Sequence, residues 1–193
     1  MDKIKSKLDL KLVIKQESFY YEKGYSSWKE KVILLLRRDI DTYYIWTYLK
    51  CLRKAEYYKN SKINNLIGKI CYCFFERRKN RFGSKLGFSI SDNVLGLGAV
   101  LYHPGVVINP RAQIGKGCMF HGNNCVGNKG SGQAGVPRIG DGVEFGYGAV
   151  VIGDIVLANK IKIGANAVVT ESFTEEGITI AGVPAKKIAT GGR

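Results

Sequence analysis

Between Ile139 and Val168 the chain reads IGDGVE, FGYGAV, VIGDIV, LANKIK, IGANAV. The leading residues Ile139, Phe145, Val151, Leu157, Ile163 and then Val169 recur every six positions without a slip. Four positions after each leader stand Val143, Ala149, Ile155, Ile161 and Ala167, and a small residue often follows the leader, as at Gly140, Gly146, Ala158 and Gly164. The same period runs upstream through Ile108, Ile114, Phe120 and Val126, with Leu95 and Leu101 leading two earlier units and one extra residue before Ile108. Between Val126 and Ile139 the spacing is thirteen, which predicts an excursion loop over 128–137, rich in Gly and Ser.

A period of six suits neither an α-helix nor one long strand. It suits a solenoid in which each short strand forms one side of a triangular coil, the leader stacking on the leaders above and below. Glycine supplies the backbone angles that tight corners need. Ordinary strands joined by glycine turns would not hold one spacing over about eleven units. The expected class is therefore mainly β, a parallel β-helix.

These repeats resemble the hexapeptide-repeat acyltransferases, whose coils form a left-handed β-helix and whose chains assemble as homotrimers. Handedness and trimerisation are implied by that resemblance, since most parallel crossovers are right-handed. The resemblance is strongest from about Gly87 to Ile188.

Residues 1–86 have a different texture and are expected to form an α-helical subdomain ahead of a β-helix domain at 87–193. Ser27-Trp28-Lys29-Glu30 reads as a capping box before Val32–Leu36. A second helix is expected from Thr42 to Tyr58 and a third from Ile63 to Arg81, with Gly83 breaking the pattern. The aromatic residues Tyr44, Trp46 and Tyr48 read as helix packing. A helical cap before a left-handed β-helix resembles the serine acetyltransferases and their relatives that acetylate capsular and other surface polysaccharides.

The formal charge of +14 over 193 residues is uneven. Residues 1–87 carry 21 Lys and Arg against 9 Asp and Glu, and residues 88–193 carry 9 against 7. The basic N-terminal part suits an anionic membrane surface, a lipid-linked glycan or a polyanionic acceptor, approached by Arg77, Arg78 and Lys79, and it equally suits a solvated helical face. A nucleic-acid partner is not expected. The N-terminus shows no apolar signal region, and the apolar run at Ile70–Phe75 is too short to span a bilayer. Five cysteines without a CxxC argue against a disulfide frame or a zinc site. A cytoplasmic protein with reduced thiols and no metal is the expectation.

Transfer of an acetyl group to a hydroxyl needs a base, donors for the oxyanion and a slot for the thioester carrier. Histidine is the usual base, and the chain has two, His103 and His121. Leu101-Tyr102-His103-Pro104-Gly105-Val106-Val107-Ile108 resembles the segment around the catalytic histidine of the serine acetyltransferases and their polysaccharide-modifying relatives. The one-residue slip falls at this histidine, and Pro104 restricts it to extended backbone. His103 is therefore the expected base. His121 is expected to line the acceptor cleft.

Three departures from the serine enzymes stand out. The acidic residue that precedes their catalytic histidine is Tyr102 here, and their earlier aspartate falls near Phe88 or Ile90, with Asp92 displaced, so no dyad is assigned to His103. Their Arg-His pair before a loop proline is Gly135-Val136 here. Losing a charge-assisted contact to a carboxylate costs about 1.5–3 kcal/mol, which favours an uncharged hydroxyl such as a sugar's. Lys129 or Arg138 could compensate, so both are acceptor-binding candidates. Finally, Glu171 follows Thr170 where many relatives carry Lys.

For acetyl-CoA, the resemblance implies backbone groups of the late coils and a cationic tail: Gly146, Tyr147, Gly148 and Ala149, then Ala165 and Thr170, then Lys186 and Lys187. The tail Ala181-Gly182-Val183-Pro184-Ala185-Lys186-Lys187-Ile188 resembles the family's closing motif. The expected function is an acetyl-CoA-dependent O-acetyltransferase acting on a sugar hydroxyl of a surface polysaccharide or its precursor. Serine O-acetyltransferase and a non-catalytic hexapeptide scaffold are the alternatives.

Overall fold

The computed structural model describes residues 3–21, 32, 40–130 and 135–189. They fall into two compact units, Asp2–Leu86 and Gly87–Arg193. The predicted capping box at Ser27–Glu30 and the apolar residues Ile33–Leu36 lie outside the described residues.

The first unit contains helices α1 (Lys7–Tyr21), α2 (Ile40–Ser61) and α3 (Leu66–Leu86). Helix α2 is buried nearly all round, through Ile45, Tyr48, Leu49, Leu52 and Ala55, because α1 and α3 both pack on it. Helix α1 had no counterpart in the sequence reading. Its capping box is Ser6-Lys7-Leu8-Asp9: the Asp9 amide donates to Ser6 Oγ at 3.0 Å, and Asp9 Oδ2 accepts from the Lys5 and Ser6 amides. Those backbone donors hold the Asp9 carboxyl below its ordinary range. Helix α3 starts three residues later than expected and does not stop at Arg81. Asn65 caps it, accepting from the Gly68 amide at 2.6 Å, and it runs through the buried Gly83 until Gly87 turns left-handed at φ +64°. A glycine inside a helix costs only about 1 kcal/mol, which packing offsets here.

Arg53 is fully buried, with Nη2 2.7 Å from Glu17 Oε1 and Nη1 3.0 Å from Glu56 Oε2. Burial opposes the guanidinium charge, but the two carboxylates outweigh it and push the pKa up. The cluster ties α1 to α2, beside Tyr21 stacked on Trp46 at 5.4 Å.

The second unit is the solenoid. Strands β1 (Val100–Leu101), β2 (Val107–Ile108), β3 (Gln113–Ile114), β4 (Met119–Phe120), β5 (Cys125–Gly127), β6 (Arg138–Ile139), β7 (Glu144–Phe145), β8 (Val150–Ile152), β9 (Val156–Leu157), β10 (Lys162–Ile163), β11 (Val168–Val169), β12 (Thr179–Gly182) and β13 (Ala185–Ala189) form three sheets, ordered β1-β4-β7-β10-β12-β13, β11-β8-β5-β2 and β3-β6-β9. All pairings are parallel except the closing hairpin of β12 (Thr179–Gly182) with β13 (Ala185–Ala189). From β1 to β8, strand n pairs with strand n+3, so each coil takes three hexapeptides, one per sheet; β10 then pairs with β12. The leaders stack: Leu101 on Phe120 on Phe145 on Ile163 on Ile180, and Ile108 on Val126 on Val151 on Val169. Phe120 and Phe145 lie ring on ring at 4.4 Å and are fully buried. The coil is left-handed and parallel, and its closest backbone approaches fall at glycine. A Cβ on Gly146 would lie 2.6 Å from the Ala165 amide nitrogen.

Candidate active site

Three corners join the three sheets, and both histidines occupy the same one. It follows β1 (Val100–Leu101), β4 (Met119–Phe120), β7 (Glu144–Phe145) and β10 (Lys162–Ile163). The residues just past the stacked leaders form a column: Tyr102, His121, Gly146, Gly164 and Ala181, linked by inter-coil bonds such as the His121 amide to Phe145 O at 3.0 Å. Below His121 the column is small, and above it two rings stack. Tyr102 covers the His121 imidazole at 4.8 Å between centroids.

His103 lies one residue further round, exposed, at the slip in the repeat. It crowds the same spot as Tyr147: a Cβ on Gly122 would meet His103 Cβ at 2.7 Å and Tyr147 Cε2 at 3.2 Å. Gly122 adopts φ +113°, so this gap can be held open only by glycine. Asn123, itself left-handed at φ 49°, donates to the Tyr147 hydroxyl oxygen at 2.6 Å. The buried Asn124 fixes the turn, accepting from the Gly122 amide at 3.0 Å and donating to Gly146 O at 2.8 Å. Among the described residues the His103 ring has no hydrogen-bond partner, so both ring nitrogens are open.

The carboxylate missing beside His103 is found beside His121. His121 Nε2 lies 2.9 Å from Glu144 Oε1, both side chains being about one-third exposed. Reading along the chain did not find Glu144, because it reaches His121 only through the pairing of β4 with β7 across the excursion. Nor did it single out Tyr102 and Asn123 as partners of the site.

The other expected residues divide by corner. Gly146, Tyr147, Gly148 and Ala165 lie on the histidine corner, in successive coils, and Lys186 pairs across the hairpin with Ala181 at the foot of the column. Ala149 does not line this track: it is fully buried, and its carbonyl accepts from the Cys125 amide. The Gly146 and Gly148 amides are bound to Ile163 O and Gly122 O, so they too are spent on the coil ladder. Thr170 follows β11 (Val168–Val169) at a different corner. Lys187 is not a free cation, its ammonium lying 2.5 Å from Glu175 Oε2. Lys129 lies over Gly153 and Arg138 pairs with Asp154 at 3.4 Å, both near that second corner. Within one chain, the structure therefore does not bring Lys129 and Arg138 to the histidines. Lys79 departs from its neighbours Arg77 and Arg78, being buried against Glu76 at 2.8 Å. Among the described residues no group of His, Cys, Asp and Glu is arranged to hold a metal ion.

The class follows from this architecture: a left-handed β-helix of hexapeptides that follows a helical unit in the chain, the fold of the serine acetyltransferases. The serine acetyltransferase of Neisseria gonorrhoeae superposes with a TM-score of 0.66 at 25% identity, covering 97% of this chain and 69% of that one. In sequence, the chain is 33% identical over 75 residues to the protein named colanic acid biosynthesis acetyltransferase WcaB in Escherichia coli K12, covering 39% of this chain and 46% of the relative. It is 35% identical over 97 residues to the serine acetyltransferase of Mycobacterium tuberculosis, covering 49% and 42%. The chain spans about half the length of the curated relatives it matches. No family model matches it. Its likeness is thus to the hexapeptide-repeat acetyltransferases, through both a polysaccharide-pathway branch and a serine branch.

Proposed function

We propose that the chain is an acetyl-CoA-dependent O-acetyltransferase whose acceptor is a sugar hydroxyl of a surface polysaccharide or its precursor. The observation that carries this reading is the convergence of His103, His121 and Tyr147 on one solenoid corner, directly above a column of Gly146, Gly164 and Ala181. Those residues fit acetyl-CoA as a narrow floor of backbone and small side chains. A long flexible carrier arm packs along such a floor, and the exposed Lys186 at its foot suits a phosphate. Acetyl-CoA supplies the acyl group as a thioester. His103 takes the proton of the acceptor hydroxyl as its oxygen bonds to the acyl carbon, and that proton then serves the departing thiolate. His121, held by Glu144 and Tyr102, keeps Nδ1 free to hydrogen-bond the acceptor. Exposed Tyr147, anchored by Asn123, walls the site.

The enzyme works as a cytoplasmic homotrimer with its sites between subunits. With Lys129 and Arg138 as acceptor-binding residues, the site is shared by two copies, the second corner of one chain facing the first corner of another. The second reading, serine O-acetyltransferase, is supported by the serine-enzyme relatives. The unmatched Gly135-Val136, where those enzymes hold a cation pair, speaks against it. Coenzyme A release with L-serine as sole acceptor separates the two. No turnover, with acetyl-CoA binding intact by calorimetry, supports the sugar reading; turnover with serine replaces it.

A further inference from the structure

Helix α3 carries an exposed face that acetyl transfer does not use. Its first half presents Leu66, Ile67, Ile70 and Phe74, exposed by 73, 74, 59 and 57%. These positions repeat at helical spacing, so they make one stripe. The same stripe continues as Arg77, Arg78, Arg81 and Lys85, all exposed. The cations line a groove of about 520 Å³ with Tyr44, Phe74 and Phe82, and among the described residues no acidic side chain lines it. Arg78 sits over the Phe82 ring at 5.8 Å and Lys85 over Tyr44 at 5.5 Å. Among the described residues none of the four is ion-paired, while Glu76, the one acid of α3, is engaged by Lys79.

Four cations beside four large apolar side chains on one exposed stripe offer an anionic lipid surface both charge and apolar contact. A soluble phosphate would neutralise the cations and leave four large apolar side chains in water. A second copy seated about the middle of the stripe would set the apolar half of each helix against the cationic half of the other. Among the described residues no helix is long and apolar enough to cross a membrane.

We propose that α3 docks the protein on an anionic phospholipid surface, with Arg77, Arg78, Arg81 and Lys85 on lipid phosphates and Leu66, Ile67, Ile70 and Phe74 at the acyl boundary. The inference stands independently of the acetyl-transfer reading. The test is flotation of the full chain with vesicles of phosphatidylcholine alone and of an equal mixture with phosphatidylglycerol. Binding to the anionic vesicles only is expected, weakened roughly tenfold or more by Arg77→Glu/Arg81→Glu and by Ile70→Ser/Phe74→Ser, and reduced at high salt. All substituted side chains are exposed, so circular dichroism should show unchanged helix content. The proposal is overturned by equal flotation with neutral vesicles, by no flotation, or by wild-type binding in both variants. It is also overturned if inorganic pyrophosphate binds the groove while vesicles do not. Self-association that Ile70→Ser/Phe74→Ser abolishes, without lipid binding, would assign the face to a second copy of the chain.

Discussion

Glu144 Oε1 lies 2.9 Å from His121 Nε2, one coil away in the solenoid and 23 residues away in the chain. The pair fixes one ring nitrogen and leaves the other facing outward, while Tyr102 holds the ring plane. With His103 as the proposed base, the held imidazole serves to place the acceptor hydroxyl; a carboxylate-held imidazole is also the usual arrangement of a general base, so Glu144 tests this division of roles. Glu144→Gln is therefore expected to raise the acceptor KM about tenfold, in line with the loss of about 1.4 kcal/mol, with kcat changed little. Steady-state kinetics with varied acceptor check this; a fall in kcat alone would move the base role to His121.

Closing the floor of the column should separate cofactor binding from proton transfer. A Cβ at Gly146 meets the Ala165 nitrogen at 2.6 Å and Ile163 O at 2.7 Å, all backbone that cannot move aside cheaply. Gly146→Ala is expected to lose on the order of 1–3 kcal/mol of stability and most acetyl-CoA affinity. Thermal unfolding and titration calorimetry read the two effects separately.

The two kinds of ion pair in the molecule should behave oppositely. Glu17→Ala removes a carboxylate that holds the buried Arg53 charge, at an expected cost of about 3–5 kcal/mol. Arg138→Ala removes an exposed pair 3.4 Å long and is expected to cost under about 1 kcal/mol. Urea unfolding followed by circular dichroism measures both.

Much of the fold was legible because the six-residue period is set by packing that repeats along the chain itself. The leaders Phe145, Val151, Leu157 and Ile163 are buried for the reason that makes them periodic. The slip before Ile108 marked the corner of His103. What depends on contacts between coils was not legible. The Glu144 to His121 contact crosses an excursion, Lys187 finds Glu175 only once the hairpin closes, and the burial of Ala149 follows from its inward position. The missed helix α1 did carry a signal: the Ser6 to Asp9 box stands just before Leu10, Leu12, Val13 and Ile14. The extension of α3 past Gly83 depends on tertiary packing, which overrides propensity.

Thiol chemistry offers a check on the core. Burial pushes the Cys118 thiol up to about 12, so it stays protonated and unreactive at neutral pH. Its folded value lies above the ordinary 9.0, so its contribution to stability is complete below pH 9 and is lost as pH rises toward about 12. Cys73 is exposed and should label first with a maleimide, with Cys118 labelling only on unfolding. Mass spectrometry of timed labelling reports the order, and early labelling of Cys118 would contradict the packing described.

The central claim is that the His103 corner transfers acetyl groups to a sugar hydroxyl. The most direct measurement is coenzyme A release from acetyl-CoA by wild type and His103→Ala, with L-serine and with a panel of sugars and sugar nucleotides as acceptors. The account predicts turnover with a sugar acceptor, none with serine, and a loss of about 10²–10⁴-fold in the variant. Wild-type rates in His103→Ala, or turnover with L-serine alone, would contradict it.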